Sequence, residues 1–172
     1  MIMPPRLRKF VLTAHVTASV GWVGAATVFL ALAVVGLTSD DTGTVRGAYL
    51  VMEPAARLAL LPLAIASLLS GLIQSLGSTW GLFRHYWVVF KLLINVFATL
   101  VLVMYMETFR FLASVAADTN ADLATVRSSS PLLHAALALV LLLVATILAI
   151  YKPRGMTPYG LRKQRESRPS MP

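Results

Sequence analysis

The chain has 172 residues, 58% of them hydrophobic and only 13% charged, with no cysteine and a formal net charge of +8. Soluble domains carry about 45–50% apolar and about 25% charged residues, so this balance excludes an ordinary soluble globule and points to an integral membrane protein. The lack of cysteine excludes disulfides, thiolate metal sites and thiol redox chemistry.

Four apolar segments follow in chain order. Residues 10–37, FVLTAHVTASVGWVGAATVFLALAVVGL, contain no Asp, Glu, Lys or Arg and one histidine, His15. A bilayer crossing takes about 20 residues at about 1.5 Å each, so the run is long enough. Preceded by Arg6, Arg8 and Lys9, it imitates a secretory signal. Its apolar part exceeds the usual ~7–15 residues and no small-residue cleavage site ends it, which makes it a retained first span. The second segment, about 52–76, has Glu53 and Arg57 near its start and Pro62 as the expected kink. The third, 86–111, carries Lys91 near its start and Glu107 near its end. The fourth, 131–151, opens on Pro131, which suits a first helical turn. The connections 38–50 and 112–130 are polar and 77–85 is short. The tail 152–172 is basic and rich in Pro and Gly, and is expected to be flexible beyond Gly160. A single transmembrane domain thus covers 1–160, followed by a flexible basic tail at 161–172.

Charge sets the direction. Arg6, Arg8, Lys9, Arg84, Lys152, Arg154, Arg162, Lys163, Arg165 and Arg168 fall on one side of this parse, and only Arg46 and Arg127 fall clearly on the other. Positive loops stay in the cytoplasm, so both termini and the middle link are placed there, which requires an even number of spans. The expected fold class is all-α: an integral membrane antiparallel four-helix bundle with both termini cytoplasmic. The basic excess follows from topology, and no nucleic-acid-binding module is visible. The partner implied by composition is the lipid bilayer.

Polar residues inside the spans are the candidates for function. His15 lies about five residues into span one and Lys91 about five into span three, so both sit at matching depth, ~7–8 Å inside the cytoplasmic face. Gln74, near the end of span two, reaches a similar level. Asn95 follows Lys91 at i+4, and Trp22 follows His15 at i+7, each on the same helix face. These five residues define an inner cofactor-binding candidate. The outer half holds Glu53 and Arg57 as i,i+4 partners, Glu107 with Arg110, and His134 with Tyr105 at similar depth; salt bridging alone accounts for the charged pairs. Lys91 also has a simpler role open to it, snorkelling to the interface, and Trp80 and Trp87 read as interfacial anchors. Gly21, Gly24 and Ala25, with Ala14 and Ala18, give span one a small-residue face suited to close helix packing, including against a second copy of the chain.

A neutral imidazole in an apolar four-helix bundle is a suitable axial ligand for haem iron, which makes His15 the metal-ligand candidate. A nearby Lys can pair with a haem propionate or act as a second ligand. His134 belongs near the opposite face and cannot serve the same iron. Two motifs carry a resemblance: H-x6-W-x-G (His15, Trp22, Gly24) in span one and W-x3-K-L (Trp87, Lys91, Leu92) in span three. They are similar to small bacterial four-helix membrane proteins, namely the haem-binding protoporphyrinogen oxidase type and, more loosely, the copper-resistance protein D family. The tail YKPRGMTPYGLRKQ resembles that of uncharacterised four-span proteins of high-GC Gram-positive bacteria. The resemblance implies haem b held with His15 and Lys91 as the important positions, in a multi-pass protein of the bacterial inner membrane. The chain departs from the oxidase type after Trp22, where Val28, Phe29 and Leu30 continue without charge, and in span three, where Asn95 and Tyr105 stand without a further histidine. Three readings remain side by side: a haem-binding protein, with or without enzyme activity and with an unspecified redox partner; a copper or small-solute permeation protein; and a cofactor-free structural protein.

Overall fold

Long runs of Leu, Ala, Val and Ile form helices in an apolar setting because only a helix satisfies every backbone N–H and C=O within its own segment. The computed structural model describes residues 3–78 and 81–166; it is 83% helix, with no strand among the described residues. In order come α1 (Pro5–Thr38), α2 (Thr42–Ala55), a π-helical turn (Ala56–Leu60), α3 (Leu61–Leu76), α4 (Tyr86–Ala117), a 3-10 turn (Leu123–Thr125), α5 (Ser130–Tyr151) and α6 (Pro158–Glu166). Four stretches, Pro5–Thr38, Thr42–Leu76, Tyr86–Ala117 and Leu123–Tyr151, are long and apolar enough to cross a membrane. Trp80 and Arg168 lie outside the described residues.

One stripe on α1 organises the packing. Its buried residues are Val11, His15, Ala18, Trp22, Ala26, Phe29, Ala33 and Gly36, spaced by threes and fours. That spacing is one continuous face of an α-helix, so His15 and Trp22 are carried inward by the same periodicity that buries the alanines. Small residues on the stripe let neighbours approach. A β-carbon on Gly36 would stand 2.8 Å from Cζ of Tyr49, and one on Gly21 would stand 3.0 Å from Cδ2 of Leu63. Gly21 is thus committed to α3 of its own chain, whereas Gly24 has open space.

The structure departs from the sequence reading at both polar connections. Residues 42–50, expected within a loop, form most of α2, whose buried Val45, Ala48, Tyr49 and Met52 follow the helical i, i+3, i+4, i+7 pattern. The face was hidden in the sequence because Thr, Gly and Arg separate its few apolar positions. Asp41 starts the helix by accepting hydrogen bonds from the Thr44 amide at 2.7 Å and the Thr44 hydroxyl at 2.6 Å. The Thr44 hydroxyl and amide hold the Asp41 carboxyl below the usual carboxylate range, so this cap persists through that range and is lost only as pH falls below it. Helix α4 likewise runs past the expected end to Ala117, with Leu112 and Ala116 buried.

The expected irregularity at Pro62 takes the form of the π-helical turn before it. Pro62 has no N–H for the Leu58 carbonyl, and Pro54 has none for Leu50. The chain answers by widening its ladder, and the Leu61 N–H bonds the Ala56 carbonyl five residues back.

Two arginines close helix ends. Arg46 of α2 donates to the carbonyls of Ala116 at 3.0 Å, Thr119 at 3.2 Å and Ala121 at 3.0 Å, capping the end of α4. Arg127 donates to Ser39 O at 2.7 Å, just past the end of α1. At the other end of the molecule the Met3 N–H bonds Gly77 O at 3.1 Å, and His85 pairs with Met156 in an isolated bridge. Thr157 and Gly160 strap α6 there: the Thr157 N–H bonds Arg84 O at 3.0 Å, and the Thr157 hydroxyl donates to Phe83 O. A methyl on Gly160 would run into the Arg84 carbonyl. The tail is helical to Glu166, with Gly160 buried and Arg162 and Lys163 exposed.

Two outcomes are expected. Arg46→Ala leaves several α4 carbonyls without a donor and should cost roughly 2 kcal/mol, read as a melting midpoint lower by roughly 4–8 °C; a full recovery by Arg46→Lys would contradict the multi-carbonyl cap. Gly160→Ala should release α6, so that trypsin cuts after Arg162 and Lys163 faster than in the parent protein.

Candidate functional site

The site is built on α1, α3 and α4. His15 is 7% exposed, and its Nδ1 lies 3.0 Å from the backbone carbonyl of Ser67 and 3.1 Å from the Ser70 hydroxyl. A carbonyl only accepts, so Nδ1 carries the proton and Nε2 keeps its lone pair. Ser70 donates its own hydrogen to Ala66 O at 2.5 Å, which leaves its oxygen free to share the Nδ1–H. The ring has room because position 71 is glycine: a β-carbon there would stand 3.0 Å from His15 Cε1. On the far side of the ring, Lys91 Nζ lies 3.1 Å from Nε2 and donates to it.

Two cavities flank this pair. The larger, about 550 Å³, runs between α1, α4 and α5 and is lined by His15, Lys91, Gln74, Asn95, Trp87 and apolar residues such as Leu12 and Leu142. The smaller, about 70 Å³, lies toward α3 and shares His15, Lys91, Gln74, Asn95 and Trp87. Asn95 donates from Nδ2 to the Lys91 carbonyl at 2.8 Å, so its amide is turned back along α4. Ser19 and Ser67 join α1 to α3 through their hydroxyls at 2.8 Å.

Of the inner candidates, His15, Lys91, Gln74 and Asn95 therefore share one site. Trp22 does not line it; the indole is 2% exposed and lines a separate cavity of about 240 Å³ with Phe29, Phe97, Tyr105, Phe109 and His134. One α-helical face runs through both His15 and Trp22, but seven residues of rise separate the two cavities. The outer candidates form three local contacts: Arg57 with Glu53 at 2.5 Å, Arg110 with Glu107 at 2.7 Å, and His134 with Ser130. Both ion pairs are local, three or four residues apart; the Arg110–Glu107 pair is exposed, whereas Glu53 is only 22% exposed beside Arg57.

Sequence reasoning missed Ser19, Ser67, Ser70 and Gly71. The available signal was Ser67-x-x-Ser70-Gly71 inside an apolar run, with Ser19 one turn after His15. What it cannot show is that the Ser67 backbone oxygen, rather than a hydroxyl, would be the main partner of the ring.

Comparison of the chain with protein-family models, with curated proteins and with solved structures returns no match. Among the described residues, the class that fold and site define is an all-helical protein with four helices long and apolar enough to span a membrane, carrying a part-buried His–Lys pair between two cavities.

Gly71→Val should crowd the His15 ring and cost roughly 1–3 kcal/mol in unfolding of the purified protein, whereas Gly24→Ala, where space is open, should be neutral or slightly stabilising. Equal effects of the two changes would contradict the seating of His15 against α3.

Proposed function

We propose that the protein is an antiparallel four-span bundle of the bacterial inner membrane, both termini cytoplasmic, that binds haem b through His15. The topology is supported by the pairing of helix ends, Met3 with Gly77 and His85 with Met156, on the side where most basic residues fall. The observation that carries the haem reading is the His15 ring itself: buried, its Nδ1–H held by the Ser67 carbonyl, and its Nε2 lone pair at the wall of a cavity of about 550 Å³. Ligand histidines characteristically donate their second nitrogen to a carbonyl or carboxylate, which orients the ring and raises its basicity. Cavities of about 300–1,000 Å³ accommodate small molecules and cofactors.

The donor set also favours a metal that brings ligands of its own. Among the described residues no three His, Asp or Glu side chains come together to hold a bare ion. A lone imidazole can serve an iron already held by a porphyrin. Lys91 occupies Nε2 in the present arrangement, so ligation by His15 requires Nζ to withdraw. Its long stem permits that movement within the same cavity, where the ammonium can meet a propionate. Ser67, Ser70 and Gly71 fix the ring while Lys91 moves. When bound, haem supplies one-electron redox chemistry whose potential depends on the axial ligand and on burial.

The permeation reading has less support. The 550 Å³ and 240 Å³ cavities share no lining residue, and Trp22, Ala98 and Leu142 fill the core around the boundary. A path between the inner and outer polar groups would need this core to open.

Protein expressed with ample haem should purify with a Soret band and a reduced-minus-oxidised α band. His15→Ala should lose both, and added imidazole should restore part of the signal, which a purely structural histidine would not allow. Lys91→Met should retain the Soret band with altered haem affinity. A colourless parent protein, or bands indifferent to His15→Ala, would overturn the reading.

A further inference from the structure

The outer cavity has a chemistry of its own that does not depend on haem. Four rings run in sequence from the core to the surface: Phe29 meets Phe109 edge-on at 5.2 Å, Phe109 meets Tyr105 at 5.1 Å, and Tyr105 lies against His134 at 4.3 Å with the planes tilted by 31°. All four line the cavity of about 240 Å³, with Trp22 and Phe97. The polar end is defined by hydrogen bonds. His134 Nδ1 lies 2.9 Å from the Ser130 carbonyl one turn back, so in the neutral ring Nδ1 carries the proton and the distal Nε2 is an acceptor. The Tyr105 hydroxyl is engaged with Ser130 Oγ at 2.9 Å, which fixes the ring that backs the imidazole. The cavity opens sideways between α4 and α5: Phe97 is 58% and Leu137 61% exposed at its rim, on helices long and apolar enough to lie in a membrane.

We infer that this cavity binds the head group of a membrane-soluble hydroxyaromatic molecule of the quinol class, stacked among the aromatic walls with one ring hydroxyl donating to His134 Nε2. The aromatic walls select a flat ring, because offset and edge-on contacts favour it over a flexible chain. An acceptor at the polar end favours a ligand that brings a hydroxyl hydrogen. The lateral opening gives an apolar tail a way out into the lipid. A phospholipid acyl chain could fill the same space but has nothing to offer Nε2.

The test compares two probes on the full-length protein in nanodiscs of zwitterionic phospholipid, by titration calorimetry with empty nanodiscs subtracted. The probes are a 1,4-benzoquinol bearing one isoprenoid unit and its dimethyl ether, which has the same ring but no hydroxyl hydrogen. The diol should bind roughly tenfold more tightly, the worth of one hydrogen bond in a desolvated site, although the ether partitions more strongly into lipid. His134→Leu should bring the two affinities together, and the parent protein's preference for the diol decides the matter should that variant fail to fold. Equal affinities in the parent protein, a preference that survives His134→Leu, or no binding of the diol would overturn the proposal and leave an apolar crevice filled by lipid chains.

Discussion

Inside an apolar bundle every polar group must find a partner in the protein, and most of this structure's particular features are answers to that constraint. His15 could not lie on the buried stripe of α1 without an acceptor for its proton, and α3 supplies the Ser67 carbonyl. That carbonyl belongs to a helix, so the ring adds a second hydrogen bond to an oxygen already used in the ladder, which a carbonyl's two lone pairs allow. Ser19, Ser70 and Asn95 are tied down in the same way, to a facing serine or to carbonyls of their own helices. Lys91 completes the arrangement by meeting the one lone pair left over. Among the described residues, Tyr49 and Thr99 hydroxyls are the buried side-chain groups without a partner.

The same constraint explains the two arginines that interrupt the charge asymmetry. Arg46 and Arg127 lie at the connections opposite the basic ends of the chain. Each is held against backbone carbonyls past a helix terminus, Arg46 at α4 and Arg127 at α1. A planar guanidinium reaches several such oxygens at once, which an ammonium cannot do. These charges therefore serve the ends of the helices and say little about which way the bundle faces.

A division into two cavities follows from the aromatic and aliphatic plug between them. Trp22 from α1, Ala98 from α4 and Leu142 from α5 fill the core there. On one side lies a basic, hydrogen-bonded pocket around the His15 imidazole; on the other lies an aromatic crevice that ends in the His134 imidazole. Both histidines give Nδ1–H to a backbone carbonyl, which turns Nε2 away from the carbonyl that holds the ring. Their surroundings differ in shape and exposure, and this is why the two sites point to different ligands.

The sequence by itself determined that the chain is helical, how many long apolar helices it has, and that His15 and Lys91 stand at similar depth. Those properties follow from composition, run length and rise per residue, which act along one segment at a time. The loop reading of residues 42–50 failed for the complementary reason: the buried face of α2 exists only against α1 and α4, and its own apolar content is too sparse to announce it. Trp22 shows the limit of helical spacing, since sharing a face with His15 did not place it in the same cavity. Only the tertiary structure decided that a backbone oxygen of Ser67 would orient the imidazole, that Gly71 would make the space, and that Tyr105 and His134 would stack. Such contacts join residues far apart in the chain, and backbone oxygens and absent β-carbons leave no mark in the side-chain pattern from which a sequence is read.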